Sequence, residues 1–264
     1  MHSNGAVSTS VEPSGSTAKQ GQVAAGSPLA VRLADVQFQW PKGLGPVLDI
    51  PEFSVVKGET LLIQGPSGSG KTTLLNLLAG VTQPTHGVVE VAGATLSSRR
   101  TAARDKFRAD HIGFIFQIFN LVPYLSVVEN VILPCRFSRA RRDRVLASAP
   151  TLVAEAQRLV GYMGLDLAQD GGRSVADLSI GQQQRVAAAR ALIGSPDLII
   201  ADEPTSALDS RSRDRFLALL FEQAEAAETT VIVVSHDEAL TRIFPRVVNL
   251  QDINRVAVHE QGIA

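Results

Sequence analysis

Cysteine is almost missing from this chain of 264 residues, and Cys135 stands alone. One thiol excludes an internal disulfide. With no metal-ligand spacing around it, Cys135 reads as an ordinary core or surface residue in a reducing setting. Charge of one sign is missing too. Lys and Arg number 25 against 26 Asp and Glu, a net −1, which argues against bulk attraction to nucleic acid or anionic lipid while leaving local basic patches open. No apolar run approaches the roughly 20 residues that span a bilayer. The first residues lack a basic-then-apolar leader pattern, so export is not expected, and any membrane role needs a partner that supplies the span.

What is present is the composition of an ordinary soluble domain, 45% apolar and 19% charged. The length suits one large α/β domain or a core with an inserted subdomain. Residues 1–28 are small and polar without sustained periodicity, and are expected to form a flexible tail. Order begins at "LAVRLADVQFQW", whose alternation predicts a strand. "TLLIQGPSGSGKTTLLNLLAG" reads as strand, glycine loop and helix. "SSRRTAARDKFRAD" and "RFSRARRDR" read as solvated basic faces. Helical patterning dominates from "QIFNLVPYLSVVENVILP" to "LSIGQQQRVAAARAL". Then "PDLIIADEP" and "TTVIVVSHD" return as continuous β-branched runs of the kind buried in parallel sheets. "FPRVVNLQDINRVAV" is expected to close the sheet as a strand pair.

"GPSGSGKTT" covers Gly65, Pro66, Ser67, Gly68, Ser69, Gly70, Lys71, Thr72 and Thr73, and fits G-x-x-x-x-G-K-[ST] with the required strand before and helix after. Glycines let backbone N–H groups converge on phosphate oxygens, and the helix dipole adds favourable potential. In such a loop Lys71 reaches the β- and γ-phosphates and Thr72 places its hydroxyl on Mg²⁺. A second anchor is "LIIADE", an apolar strand that delivers Asp202 and Glu203 to its C-terminal end, where α/β ligand sites lie. Asp202 suits Mg²⁺, and Glu203 suits a general base acting on water. Hydrolysis of a nucleoside triphosphate is the inference.

With these motifs in order, the chain after residue 30 resembles the ATP-binding cassette ATPases. Gln117 in "FIFQIFNLVPYLSVVEN" is similar to the Q-loop glutamine, "LSIGQ" to the signature LSGGQ, "SALD" to the D-loop, and His236 in "VVSHD" to the switch histidine. The resemblance implies a RecA-like P-loop NTPase core over residues 29–264, with a helical subdomain inserted at about 118–195. It implies that Gln117 touches Mg²⁺ and the attacking water while linking the nucleotide to a transmembrane partner. His236 would contact the γ-phosphate, Asp209 would communicate across a dimer, and Trp40 would stack on adenine in the place where Tyr is commoner. Two ATP molecules would be sandwiched between one subunit's phosphate loop and the other's Ser179, Gly181 and Gln182. Within the family, the longer motif stretches look like subunits serving macrolide-exporter or lipoprotein-release type permeases. That implies a homodimer on the cytoplasmic face of a bacterial inner membrane, with a separate permease. In the hydrophobic stretch after Gln117, Phe119, Leu121, Pro123 and Tyr124 are candidates for the permease-docking surface, the alternative being that they form the core of the helical subdomain.

Other readings fit less well. A P-loop kinase has no need of "LSIGQ", "SALD" or a strand-end His. A DNA-repair cassette needs a long coiled coil, and the stretch between phosphate loop and signature holds no sustained heptads. A translation-type protein carries two cassettes where this chain has one. A module that had lost hydrolysis would not need Lys71, Asp202, Glu203 and His236 together. A non-transport cassette acting on nucleic acid or ribosomes is the remaining alternative.

In "LSIGQ" the family's first Gly is replaced by Ile180. With Ser179 as N-cap, Ile180, Gly181 and Gln182 become the first helical positions, and Ser179 with Gln182 has capping-box spacing. At that first position Ile180 needs no left-handed backbone, so an active site is expected.

Overall fold

The computed structural model describes residues 27–43, 45–170 and 172–256. All of the expected tail but residues 27 and 28 lies outside them. The chain opens with strands β1 (Leu29–Gln39), β2 (Pro46–Val56) and β3 (Thr60–Gln64), then helix α1 (Lys71–Leu78). Strands β4 (His86–Val91) and β5 (Ala94–Thr95), helix α2 (Thr101–His111) and strand β6 (Ile112–Ile115) follow. Next come α3 (Val127–Phe137), α4 (Arg139–Ser148), α5 (Leu152–Tyr162), the one-turn α6 (Leu167–Asp170) and α7 (Ile180–Leu192). The chain then re-enters a sheet at β7 (Leu198–Asp202), followed by α8 (Ser210–Ala226), β8 (Thr230–Ser235), β9 (Arg246–Asn249) and the short α9 (Leu250–Ile253).

The strands form two sheets, an antiparallel one in the order β2-β1-β4-β5 and a parallel one in the order β6-β7-β8-β3-β9. The apolar runs of the parallel sheet are continuous because both faces are covered. Successive side chains of a strand point to opposite faces. Leu62, Ile199, Ala201, Val231 and Val233 therefore enter one core, with α3, α5, α7 and α8. Their neighbours Leu61, Ile63, Leu198, Ile200, Ile232 and Val234 enter the other, with α1 and the antiparallel sheet. A parallel sheet covered this way ends its strands β3, β7 and β8 at one edge, and the residues of interest follow those ends.

Three expectations need correction. The basic cluster at 136–144 is not a solvated face throughout, since Arg141 is 2% exposed and donates to the carbonyls of Ala191 and Ile193. Among the described residues the expected closing strand pair shows one strand, β9, followed by a helical turn, and residues 257 and 258 of that stretch lie outside them. Asn249 caps that turn by accepting the Gln251 N–H, so the chain leaves the extended path there. Asn254 then turns back to β2, accepting from the Asp49 N–H at 2.8 Å and donating to the Val47 carbonyl at 3.1 Å. The basic stretch at 97–110 is likewise not wholly solvated. Its helix α2 buries Phe107, stacked on His111, and Arg104, which donates to the Gly80 carbonyl at 3.0 Å.

Candidate nucleotide site

The loop between β3 and α1 is held open by glycine where it has to be. Gly70 lies at φ 99°, and a Cβ there would meet Leu48 at 3.0 Å. That conformation leaves the first N–H groups of α1 without helical partners at the mouth of a cleft. Lys71, the first residue of α1, is buried and folds its ammonium onto the loop's own carbonyls, donating to Gly65 O at 2.7 Å and Pro66 O at 2.8 Å. Burial pushes its pKa down, and the charges of Glu203 and Asp202 pull it back up. Ser69 Oγ is buried without a hydrogen-bond partner, an orphaned hydroxyl inside the loop.

Across the cleft, β7 ends in Asp202, and Glu203 follows it. Thr72 Oγ1 donates to Asp202 Oδ2 at 3.1 Å. Burial nevertheless raises the Asp202 pKa, with the Glu203 charge adding to it, against the Thr72 hydrogen bond and Lys71. Glu203 turns the chain at φ 46°. Its carboxylate is gripped by the end of β8: Ser235 Oγ donates to Oε2 at 2.9 Å, and the His236 N–H donates to Oε1 at 3.0 Å. His236 Nδ1 lies 2.6 Å from that same oxygen, and because a carboxylate only accepts, the proton belongs on Nδ1.

These groups share one cleft of about 690 Å³, lined by Pro66, Ser67, Gly68, Gly70, Lys71, Thr72, Thr73, Asp202, Glu203 and His236, with Trp40, Val47 and Gln117 at its sides. Trp40 is 43% exposed and braced edge-on by Phe38, with ring centroids 4.8 Å apart. A broad indole face is thus held at the rim. Gly65 and Ser69 stand behind the lining, where Gly65 supplies a carbonyl to Lys71.

Ser179, Gly181, Gln182 and Asp209 are not in this cleft. Ser179 caps α7. Its Oγ accepts the Gln182 N–H at 3.3 Å, and Gln182 Oε1 accepts the Ser179 N–H at 2.9 Å. Ile180 is the first residue of the helix, outside the left-handed region, with its side chain 58% exposed. Asp209 caps α8 by accepting the Ser212 N–H at 2.9 Å and its hydroxyl at 2.7 Å, and those bonds lower its pKa. Val47 and Ser235 went unread in the sequence. Nothing local marks Val47, whereas Ser235 is the residue between an apolar strand and His236 and was legible as a strand-end hydroxyl.

The donor set fits a magnesium nucleotide. Among the described residues no three His, Cys, Asp or Glu side chains gather as a metal cage. A lone hydroxyl beside a lone carboxylate, as at Thr72 and Asp202, is what Mg²⁺ uses when it keeps its waters and takes phosphate oxygens.

The profile of the family described as ABC transporter matches residues 48–206. An uncharacterized ABC transporter ATP-binding protein of Mycobacterium tuberculosis is 40% identical over 206 residues, 78% of this chain and 79% of that protein. The lipoprotein-releasing system ATP-binding protein LolD of Anaeromyxobacter dehalogenans is 39% identical over 229 residues, 86% of this chain and 92% of that one. Among solved structures, the ATP-binding cassette MJ0796, in a dimeric post-hydrolysis state bound to ADP and Pi, superposes with a TM-score of 0.71 at 34% identity. That match covers 83% of this chain and 93% of that one.

Proposed function

The chain belongs to the ABC transporter family, and from that membership we propose that it binds and hydrolyses ATP as a dimer that drives a separate transmembrane permease. The observation that carries the reading is the meeting of Lys71, Thr72, Asp202, Glu203 and His236 in one cleft. Trp40 stacks on the adenine. Lys71 exchanges the carbonyls of Gly65 and Pro66 for β- and γ-phosphate oxygens, and the Ser69 hydroxyl gains a partner from the same triphosphate. Mg²⁺ held by Thr72 and Asp202, with Gln117 beside them, would neutralise charge on the phosphate oxygens. Glu203 accepts a proton from the water that attacks the γ-phosphorus, as the bond to the β–γ bridging oxygen breaks and ADP leaves. His236 turns from Glu203 to the γ-phosphate, which frees Oε1 for that proton. Ser179, Gly181 and Gln182 face the ATP of the second subunit, with Asp209 beside that interface.

No described helix is long and apolar enough to cross a membrane; in this reading the permease supplies the span. The likeness to lipoprotein-releasing subunits favours export, lipoprotein extraction or mechanical coupling to the periplasm, from the cytoplasmic face of the inner membrane. Docking of the permease is supported by the exposure of Ile118 and Tyr124, at 82% and 85%. An apolar cleft of about 430 Å³ between Phe114, Phe116, Pro134 and Phe137 supports it as well. Residues 118–195 act as the helical unit, whose Pro134 and Phe137 face Phe114 and Phe116 across that cleft.

The test is Glu203→Gln, which removes the base while leaving ATP bound. With ATP the variant is expected to dimerise, alone or with its permease, in light scattering, and to lose turnover by two orders of magnitude or more. A monomer at saturating ATP in both settings sinks the sandwich. Stimulation of wild-type turnover by DNA or ribosomes, and not by a co-purified permease, sinks the transport reading.

A further inference from the structure

The loop that begins at Gln117 is strained. Phe119 and Asn120 both lie in the left-handed region, at φ 49° and 48°. Asn tolerates that conformation through its short polar side chain, but Phe does not, and two consecutive residues there persist only where the surroundings hold them. The holder is Arg190, in the last turn of α7. Its Nη1 donates to the Asn120 carbonyl and its Nη2 to the Phe119 carbonyl, each at 2.6 Å. Arg190 is 9% exposed, and among the described residues no carboxylate lies within ion-pair distance of it. Both prongs of this guanidinium are thus given to the loop, and the residue lines the apolar cleft beside Phe116 and Phe137.

The other end of α7 is the capped Ser179 terminus. The helix between is firmly seated. Arg141 on α4 donates to the carbonyls of Ala191 at 2.6 Å and Ile193 at 2.9 Å, and Arg144 donates to that of Gly194 at 2.7 Å. Val186 to Ala189 are fully buried. A short helix packed this way moves as a rod of about 1.5 Å per residue, so a displacement at one end is felt at the other.

We propose that Arg190 is a positioning residue for Gln117: it fastens the strained loop to α7, so that Gln117 and the Ser179–Gly181 end of that helix shift together. The proposal rests on the reading of Gln117 as a group serving the nucleotide site. It adds a route by which contact at the signature end reaches the loop that faces the permease.

Arg190→Lys keeps a cation and an aliphatic stem but replaces the two-pronged fork with a single ammonium. In the full-length protein it is expected to lower kcat for ATP about tenfold with KM changed less than about threefold, because misplacement costs turnover more than ground-state binding. In a Gln117→Ala background the same change should lower kcat by less than about twofold, since the group it positions is gone. An equal loss in both backgrounds overturns the proposal alone. An unchanged kcat in Gln117→Ala by itself overturns the role of Gln117, and the proposal with it. Hydrogen exchange reads the loop directly: amides 118–121 should exchange faster in Arg190→Lys while α5 keeps wild-type protection. Lost protection throughout α5 and α7 would make Arg190 a residue that holds the fold, and would also overturn the proposal.

Discussion

Gly113 in β6 is where the parallel sheet and α7 come closest, and adding one methyl there tests how rigidly they are spaced. A Cβ on Gly113 would lie 2.4 Å from the Ala191 carbonyl oxygen, 3.0 Å from its carbon and 3.2 Å from its Cα. All three are backbone atoms, so no rotamer can yield, and Gly113 is not in the left-handed region, so the cost is steric alone. Strand and helix would have to part by about 1 Å to restore ordinary contact, and overpacking of this kind costs about 1–3 kcal/mol. The displaced Ala191 carbonyl is also the 2.6 Å acceptor for Arg141 Nη2, a guanidinium only 2% exposed. Burial pushes the Arg141 pKa down to about 10, so it stays charged at neutral pH. Weakening a hydrogen bond to such a group adds on the order of 1 kcal/mol. Gly113→Ala is therefore expected to destabilise by about 2–4 kcal/mol in urea unfolding, with an unchanged m-value. Gly45→Ala is the control, because a Cβ there meets nothing within 4 Å, and it should stay within about 0.5 kcal/mol of wild type. If Gly113→Ala also falls within that margin, β6 and α7 are not rigidly spaced, and the transmission of movement along α7 loses its footing.

Two further outcomes follow, one from the cleft and one from the start of α7. Burial raises the Asp202 pKa above its ordinary 3.8, so in the absence of nucleotide the charged form opposes folding. The stability this group contributes is present at acidic pH and is lost as pH rises through the raised value. Asp202→Asn should flatten that dependence and raise the nucleotide-free Tm at neutral pH by about 1–2 °C, a small gain because solvent reaches the carboxylate. It should also shrink the Tm shift produced by Mg-ATP. A lower nucleotide-free Tm in the variant would refute the assignment. Ile180→Gly should change kcat less than about tenfold, because Ile180 already sits in a right-handed first turn. A hundredfold rise would mean that the isoleucine side chain obstructs the interface.

The legible parts of this molecule are those set by local chemistry. The phosphate loop announces itself because backbone convergence on an anion demands glycine at fixed spacing. The α7 entrance does so because Ser179 and Gln182 satisfy each other's backbone N–H groups. The continuous runs "LIIAD" and "TVIVVS" required a sheet covered on both faces, and alternate residues do enter two cores. The illegible parts depend on tertiary partners. Arg104 and Phe107 looked solvated because nothing near them in sequence reveals the Gly80 carbonyl or the core that receives them. The end of β9 was misread as extended because Val247, Val248 and Leu250 carry a β-like pattern, and the deciding residue, Asn249, acts as a cap. Ser235 and Arg190 act through atoms far off in the chain, on Glu203 and on the loop after Gln117.

The alanines of "LSIGQQQRVAAARAL" take on a second meaning beside their helix propensity. Ala187, Ala188, Ala189 and Ala191 are all buried, and their small size lets α7 approach β6 closely enough that only glycine fits at 113. One end of the helix is therefore fixed by packing and by Arg141 and Arg144, while the other stands in solvent with Ser179 and Ile180 exposed. At that exposed end the hydrogen bonding is not exhausted. Ser179 Oγ is an acceptor in the capping box, and a hydroxyl that accepts still has its own proton to give. In the proposed sandwich that proton joins the N–H groups of the first turn and the positive end of the helix dipole in facing the phosphate of the second subunit's ATP. A capping residue other than Ser or Thr could start the helix equally well, but Asp would repel the phosphate and Asn would offer a differently placed donor. In the proposed sandwich a hydroxyl at 179 caps the helix and donates at once, which Asp and Asn cannot both do there.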